Sequence, residues 1–211
     1  DDDEAAQQRV DFDRLLEQVL QDGADSYSII DPHRHDTAVY DLLFEPRIVD
    51  PISDLIGPNI VMWSSHYFCK LPGETQQVSW HQDATYFGLD PLDHVTAWVA
   101  LTPSTEAMGC VRLLPCSHRR EQLPHADNPD PDIMLSRGQT AVADIDERDA
   151  VNLIMAPGEV SFHHTLALHR SGPNKGDAPR IGIGISYIPA HVRHVGETRL
   201  SATLVRGVDR H

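Results

Sequence analysis

Apolar residues divide the chain into a helical front and a strand-rich remainder. Phe12, Leu15, Leu16, Val19 and Leu20 recur at helical spacing, and Gly23 is placed to stop that helix. The stretch "DLLFEPRIVDPISDLIGP" predicts one or two further short helices, broken by prolines and ended at Gly57-Pro58. From Asn59 the period changes. "NIVMWSSHYFCK", "HVTAWVALT", "CVRLL", "EVSFHH" and "RIGIGISYIP" are short runs rich in β-branched and aromatic residues. Turn chemistry such as "LPGE", "GLDPLD", "APGE" and "SGPNKGDAP" separates them. This spacing predicts a mainly β fold, a sandwich or jelly roll whose early helices cover one sheet. Residues 115–155 are too long for an ordinary connection and read as an insertion or active-site lid.

Composition removes several function classes. A length of 211 residues fits one domain over 1–211. Seventeen basic against 32 acidic residues give a net charge of −15, with no basic cluster to follow a phosphate backbone. Nucleic acid and anionic membranes are therefore not the expected partners. Cys69, Cys110 and Cys116 form no CxxC pair and are odd in number, which fits a reducing compartment, and the cytoplasm is the expected location. No apolar run approaches membrane-spanning length. The residues carry no signature of an oligomeric state.

The chemistry starts at "SWHQDATYF". On a strand, His81 and Asp83 would leave the same face, and burying two ionisable groups together demands a partner. A chain with 13 His and 23 Asp meets His-x-Asp by chance about once, so the pair alone is weak. A second match, His125/Asp127, lies among Pro124, Pro129 and Pro131 and reads as solvated loop. A facial metal site needs two histidines and one carboxylate with open positions opposite. "SFHHTLALHRSGPN" offers the missing histidine, and His169 is best placed, at the end of an apolar run before a turn. His163 and His164 are adjacent, so one must face out, and neither is assigned to the metal. Eleven residues after His169, Arg180 opens the alternating strand "RIGIGISY". A buried guanidinium there requires an anion, which a small dicarboxylate could supply. His33/His35 and His191/His194 read as surface or loop histidines, and Cys110 as a small buried hydrophobe. Gln82 points away from the ligand face.

With these residues in place, the sequence resembles the phytanoyl-CoA dioxygenase family of Fe(II)- and 2-oxoglutarate-dependent oxygenases. The likeness runs from about Asp50 to the C-terminus. It is carried by "WHQDATYF", "TAWVALTPSTEAMGCVRLLPCSHR", "PGEVSFHHTLALHRSGPN" and the arginine of "APRIGIGISYIP". The resemblance implies a double-stranded β-helix, a jelly-roll variant, in which His81, Asp83 and His169 bind Fe(II). Arg180 would hold the distal carboxylate of 2-oxoglutarate, and Trp98 and Thr96 would line the same pocket. It also points Ser64, His66, Phe68 and Lys70 toward the substrate cavity, although residue type alone makes Phe68 core and Lys70 rim.

The implied activity is hydroxylation of an unactivated C–H in a small molecule, consuming O2 and 2-oxoglutarate and releasing succinate and CO2. Desaturation or epoxidation would use the same oxidant. Halogenases of this family have a small residue where this chain has Asp83, so hydroxylation is favoured. Family members carry an additional strand and helix ahead of this chain's first residue, so parts of both natural ends are expected to be absent. Two rivals remain: a zinc-dependent hydrolase, which leaves Arg180 and Trp98 unexplained, and a non-catalytic metal-binding jelly roll.

Overall fold

Three helices precede the first strand: α1 (Asp2–Gln21), α2 (Thr37–Leu42) and α3 (Pro46–Ile56). The strands are β1 (Ile60–Lys70), β2 (Val78–His81), β3 (Leu89–Asp90), β4 (Val95–Ala100), β5 (Val111–Leu113), β6 (His125–Asp127), β7 (Gln139–Ala141), β8 (Val151–Asn152), β9 (Val160–His164), β10 (His169–Ser171), β11 (Arg180–Pro189), β12 (Arg193–His194) and β13 (Thr203–Arg206). A one-turn helix, α4 (Ala84–Phe87), follows β2. This computed structural model describes residues 2–23, 29–135, 139–196 and 201–211.

The two main sheets are antiparallel, with strand orders β13-β1-β11-β4-β9 and β2-β10-β5-β8. Together they form the jelly roll. Strand β11 shows why the larger sheet lies inside. Its alternate residues Ile181, Ile183, Ile185 and Tyr187 enter one apolar core with Phe12 of α1, Val39 of α2 and Ile48, Val49 and Ile52 of α3. Each fully buried isoleucine contributes on the order of 1.5–3 kcal/mol by leaving water. Tyr187 Oη donates to the Leu43 carbonyl at 3.1 Å, which ties the helical layer to the sheet. The other β11 face carries Arg180, Gly182, Gly184 and Ser186, and it turns toward a cavity between the sheets. A Cβ at Gly182 would lie 2.1 Å from the Trp98 ring, so a side chain there is excluded by the indole.

Most predicted elements are present, including the helical front, the stop at Gly23 (φ 79°) and the end of α3 at Gly57 (φ 90°). Several expectations need correction. Pro51 does not break the second apolar stretch but sits inside α3, whose apolar face packs on the sheet and outweighs the lost hydrogen bond. His125–Asp127 is a strand paired with β7, not a solvated loop. His33 is buried, with Nδ1 2.6 Å from Ser65 Oγ.

The 115–155 segment, whose residues 136–138 lie outside the described set, packs over β2. Ser79 Oγ donates to the Gln139 carbonyl at 2.8 Å. Glu147 accepts from Trp80 Nε1, Arg112 and Arg170 at 3.1, 2.7 and 2.6 Å. The Trp80 indole, then the Arg170 and Arg112 guanidiniums, hold its carboxyl below the usual range against burial. Among the described residues no helix is long and apolar enough to cross a membrane.

Candidate metal and cosubstrate site

Strand pairing brings two histidines together. His169 on β10 is directly opposite His81 on β2, and their rings are 4.1 Å apart between centroids. Each ring is held through its far nitrogen, His81 Nδ1 at 2.9 Å from the Ser79 carbonyl and His169 Nδ1 at 2.9 Å from the Ala167 carbonyl. A carbonyl can only accept, so each Nδ1 carries a proton and each Nε2 is the nitrogen that faces a metal.

Asp83 arrives differently from the expected shared strand face. Strand β2 ends at His81, and Asp83 stands at the head of α4 in a helical conformation. Its carboxylate does not cap α4, which leaves it for the site. The turn is held on both sides of Asp83. Ala84 N donates to the Thr165 carbonyl at 3.2 Å. Gln82 is fully buried; its amide donates to the Leu166 carbonyl at 2.9 Å and accepts from Leu123 N at 2.7 Å. His125 Nε2 accepts from Gln82 N at 3.1 Å. The segment leading to His169 and the 115–155 segment therefore both fix the Asp83 turn.

Asp83 Oδ1 lies 3.4 Å from His81 Nε2 and 3.7 Å from His169 Nε2. Donor atoms of His81, Asp83 and His169 all lie within 4.8 Å of one another, the one such set among the described residues. Two nitrogens and one carboxylate oxygen on one side of a point fit a facial Fe(II) site. Burial alone would raise the Asp83 carboxyl, but the His169, His163 and His81 imidazoles outweigh it and hold it well below the ordinary range. Burial, aided by His81 and His163, pushes His169 down to about 3. His94, buried behind Thr96, is pushed down to about 4, mainly by burial.

Those two neutral imidazoles imply acid sensitivity. An unfolded histidine takes up its proton near pH 6.5, roughly. The folded protein resists until the pH nears 4 at His94 and 3 at His169. Over that window the unfolded state binds more protons, so stability is lost as pH falls below about 6.5. Urea midpoints of the metal-free protein should fall steadily from pH 7 to 4.5. A midpoint that stayed level would contradict neutral burial of these rings.

A cavity of about 250 Å3 reaches from these ligands to Arg180 at one end and Ser64 at the other. Arg180 is 2% exposed, and its guanidinium carbon lies 4.9 Å over the Trp98 ring. Its Nε is buried without a hydrogen-bond partner, and among the described residues no carboxylate pairs with it. Burial pushes its pKa down to about 10, which leaves it charged at neutral pH. A buried cation lacking an anion, beside a three-donor metal site, fits a cosubstrate with a free carboxylate.

The other expected residues divide. Trp98 and Thr96 line the cavity, as do Ser64, His66 and Phe68. Phe68 is thus a cavity wall rather than simple core. Lys70 is neither pocket nor rim. It is 1% exposed, and Nζ donates to Ser171 Oγ, the Ser171 carbonyl and the Gly172 carbonyl at 2.5, 3.0 and 2.5 Å. Burial, then Arg180 and Arg170, push it down to about 6, while the three oxygens satisfy an ammonium. Lys70 thereby joins β1 to the end of the ligand strand β10. Sequence reasoning also missed His163, which lies 3.3 Å from Asp83 Oδ2. Its only signal was alternation along β9, which cannot reveal that β9 pairs with β4.

A family model described as phytanoyl-CoA dioxygenase (PhyH) matches residues 12–182. The chain belongs to the phytanoyl-CoA dioxygenase family. The human peroxisomal phytanoyl-CoA dioxygenase is 30% identical over 155 residues, covering 71% of this chain and 46% of that protein. The chain spans about half the length of the curated relatives it matches. Among solved structures, the non-heme monooxygenase ThoJ superposes with a TM-score of 0.87 at 33% identity, covering 99% of this chain and 78% of that one. EvdO2 from Micromonospora carbonacea var. aurantiaca, solved with 2-oxoglutarate, gives 0.64 at 27% identity, covering 81% and 69%. The family's cofactors, Fe(II) and 2-oxoglutarate, match the donor set and the buried arginine of this chain.

Proposed function

We propose that this chain hydroxylates an unactivated C–H of a small-molecule substrate in an Fe(II)- and 2-oxoglutarate-dependent reaction. The observation that carries this reading is the pairing, within one cavity, of the His81/Asp83/His169 donor set with a buried Arg180 that no carboxylate among the described residues pairs with. His81 and His169 would hold the metal through Nε2 and Asp83 through Oδ1. Arg180, braced on Trp98, would take the distal carboxylate of 2-oxoglutarate as a two-pronged ion pair. Bound Fe(II) and 2-oxoglutarate supply O2 activation, in which 2-oxoglutarate becomes succinate and CO2 while one oxygen atom enters the substrate C–H.

The chain's own residues position and enclose. Gly182 leaves room for the Trp98 ring, and Phe68 and Val111 give the cavity apolar walls that limit water. Ser64 and His66 line the end away from Arg180 and would orient the substrate. Substrates of amino-acid, phosphonate, acyl or secondary-metabolite type are consistent with this lining. The acidic composition and lack of a basic cluster speak for a small molecule rather than nucleic acid or membrane, and the free cysteines keep the cytoplasm as the proposed compartment.

A zinc hydrolase would use the same three ligands but give Arg180 no role. Incubation with 2-oxoglutarate, O2 and a panel of those substrate classes separates the two. Fe(II)-dependent succinate release matched by a hydroxylated product is expected. Hydrolysis supported by Zn(II), without succinate, would overturn the reading.

A further inference from the structure

His163 has no role in the scheme above, yet its ring is placed against one ligand atom. Thr96 on β4 and His163 on β9 are direct cross-strand partners, so their side chains stand next to each other on one sheet face. Both reach the same oxygen: Thr96 Oγ1 donates to Asp83 Oδ2 at 3.1 Å, and His163 Nε2 lies 3.3 Å from it. The His163 side chain is 4% exposed, and its Nδ1 is buried without a hydrogen-bond partner. The contact with Asp83 is therefore the one polar contact of this ring among the described residues, and the ring otherwise packs on that of His169, 4.6 Å away between centroids. His163 also stays outside the donor set formed by His81, Asp83 and His169.

We propose that His163, together with Thr96, is a positioning residue that restricts Asp83 to one-oxygen ligation. This inference rests on the functional reading above. With Oδ2 occupied by two donors from the larger sheet, only Oδ1 is turned toward the Nε2 atoms of His81 and His169. The consequence is a matter of coordination number. An octahedral metal has six positions, and three single-atom protein ligands leave three, enough for a two-atom chelate and O2. A carboxylate binding through both oxygens would take a fourth, and chelate and O2 would then compete. The sheet pairing of β4 with β9 thus sets the capacity of a site whose ligands come from β2, the turn into α4, and β10.

The test is anaerobic titration of His163→Leu, His163→Gln and wild type, first with Fe(II) and then with 2-oxoglutarate, folding being checked by circular dichroism. Outer ligand-orienting groups typically change affinity about 10–100-fold. For His163→Leu the Fe(II) affinity should stay within that range, and the 2-oxoglutarate dissociation constant, measured at saturating Fe(II), should rise by about tenfold or more. His163→Gln keeps an N–H donor and should recover most of the loss. Complete loss of Fe(II) in His163→Leu would make His163 a ligand and overturn the proposal. Unchanged 2-oxoglutarate affinity, or no recovery in His163→Gln, would also overturn it. Failure of wild type to bind 2-oxoglutarate in the presence of Fe(II) would instead remove the functional reading itself, before any variant is compared.

Discussion

His169→Ala should abolish both Fe(II) binding and turnover, whereas His125→Ala should retain the metal. His169 contributes one of three donor atoms, and its Nε2 is presented by a carbonyl bond to Nδ1. Groups that merely orient ligands cost about 10–100-fold when removed, so loss of a ligand should exceed that range. His125 is the informative control because it is close without being a ligand. It accepts from Gln82 N and contacts Thr85 Oγ1, supporting the turn from outside. His125→Ala should lower turnover partially, and iron content after dialysis should stay near one per chain. Equal metal loss in both variants would contradict the ligand assignment. Folding of each variant is checked separately, since both side chains are at least half-buried.

Arg180→Lys should raise the 2-oxoglutarate requirement by about 10–100-fold with metal content unchanged, since a charge-assisted hydrogen bond contributes about 1.5–3 kcal/mol. The guanidinium offers two parallel donors and a flat face on Trp98, and an ammonium offers neither. Burial adds to the loss. It already pushes the guanidinium at position 180 down to about 10, and an ammonium, which starts from a lower pKa, would lose more of its charge in the same place. The apparent KM for 2-oxoglutarate measures the effect. An unchanged value would place the distal carboxylate elsewhere.

The contrast between these residues shows what a linear sequence can convey. Arg180 was legible because β11 alternates strictly, so a charged residue in phase with Gly182, Gly184 and Ser186 had to face inward. His169 was legible from its place before a turn, and the family likeness joined it to His81 and Asp83. The path of the backbone between His81 and Asp83 was not legible. "ATYF" has the aromatic and β-branched content of a strand, and one helical turn is too short to show a period. Tertiary bonds from Thr165, Leu166 and Leu123 decide that turn, and they come from distant segments. Lys70 misled for a related reason. A lysine at a strand end ordinarily reaches water, and here the Ser171 hydroxyl with the Ser171 and Gly172 carbonyls makes its burial tolerable. His163 depended on the partner of β9, which alternation cannot specify.

The most direct measurement is anaerobic binding of 2-oxoglutarate followed by visible absorption, because it requires no knowledge of the substrate. Chelation of Fe(II) by 2-oxoglutarate produces a metal-to-ligand charge-transfer band that neither component shows alone. The band is expected in wild type at one Fe(II) and one 2-oxoglutarate per chain. It should be absent in His169→Ala and shifted to higher 2-oxoglutarate concentration in Arg180→Lys. A folded, iron-loaded wild type that gave no band at saturating 2-oxoglutarate would contradict the assignment of this cavity to the two cofactors.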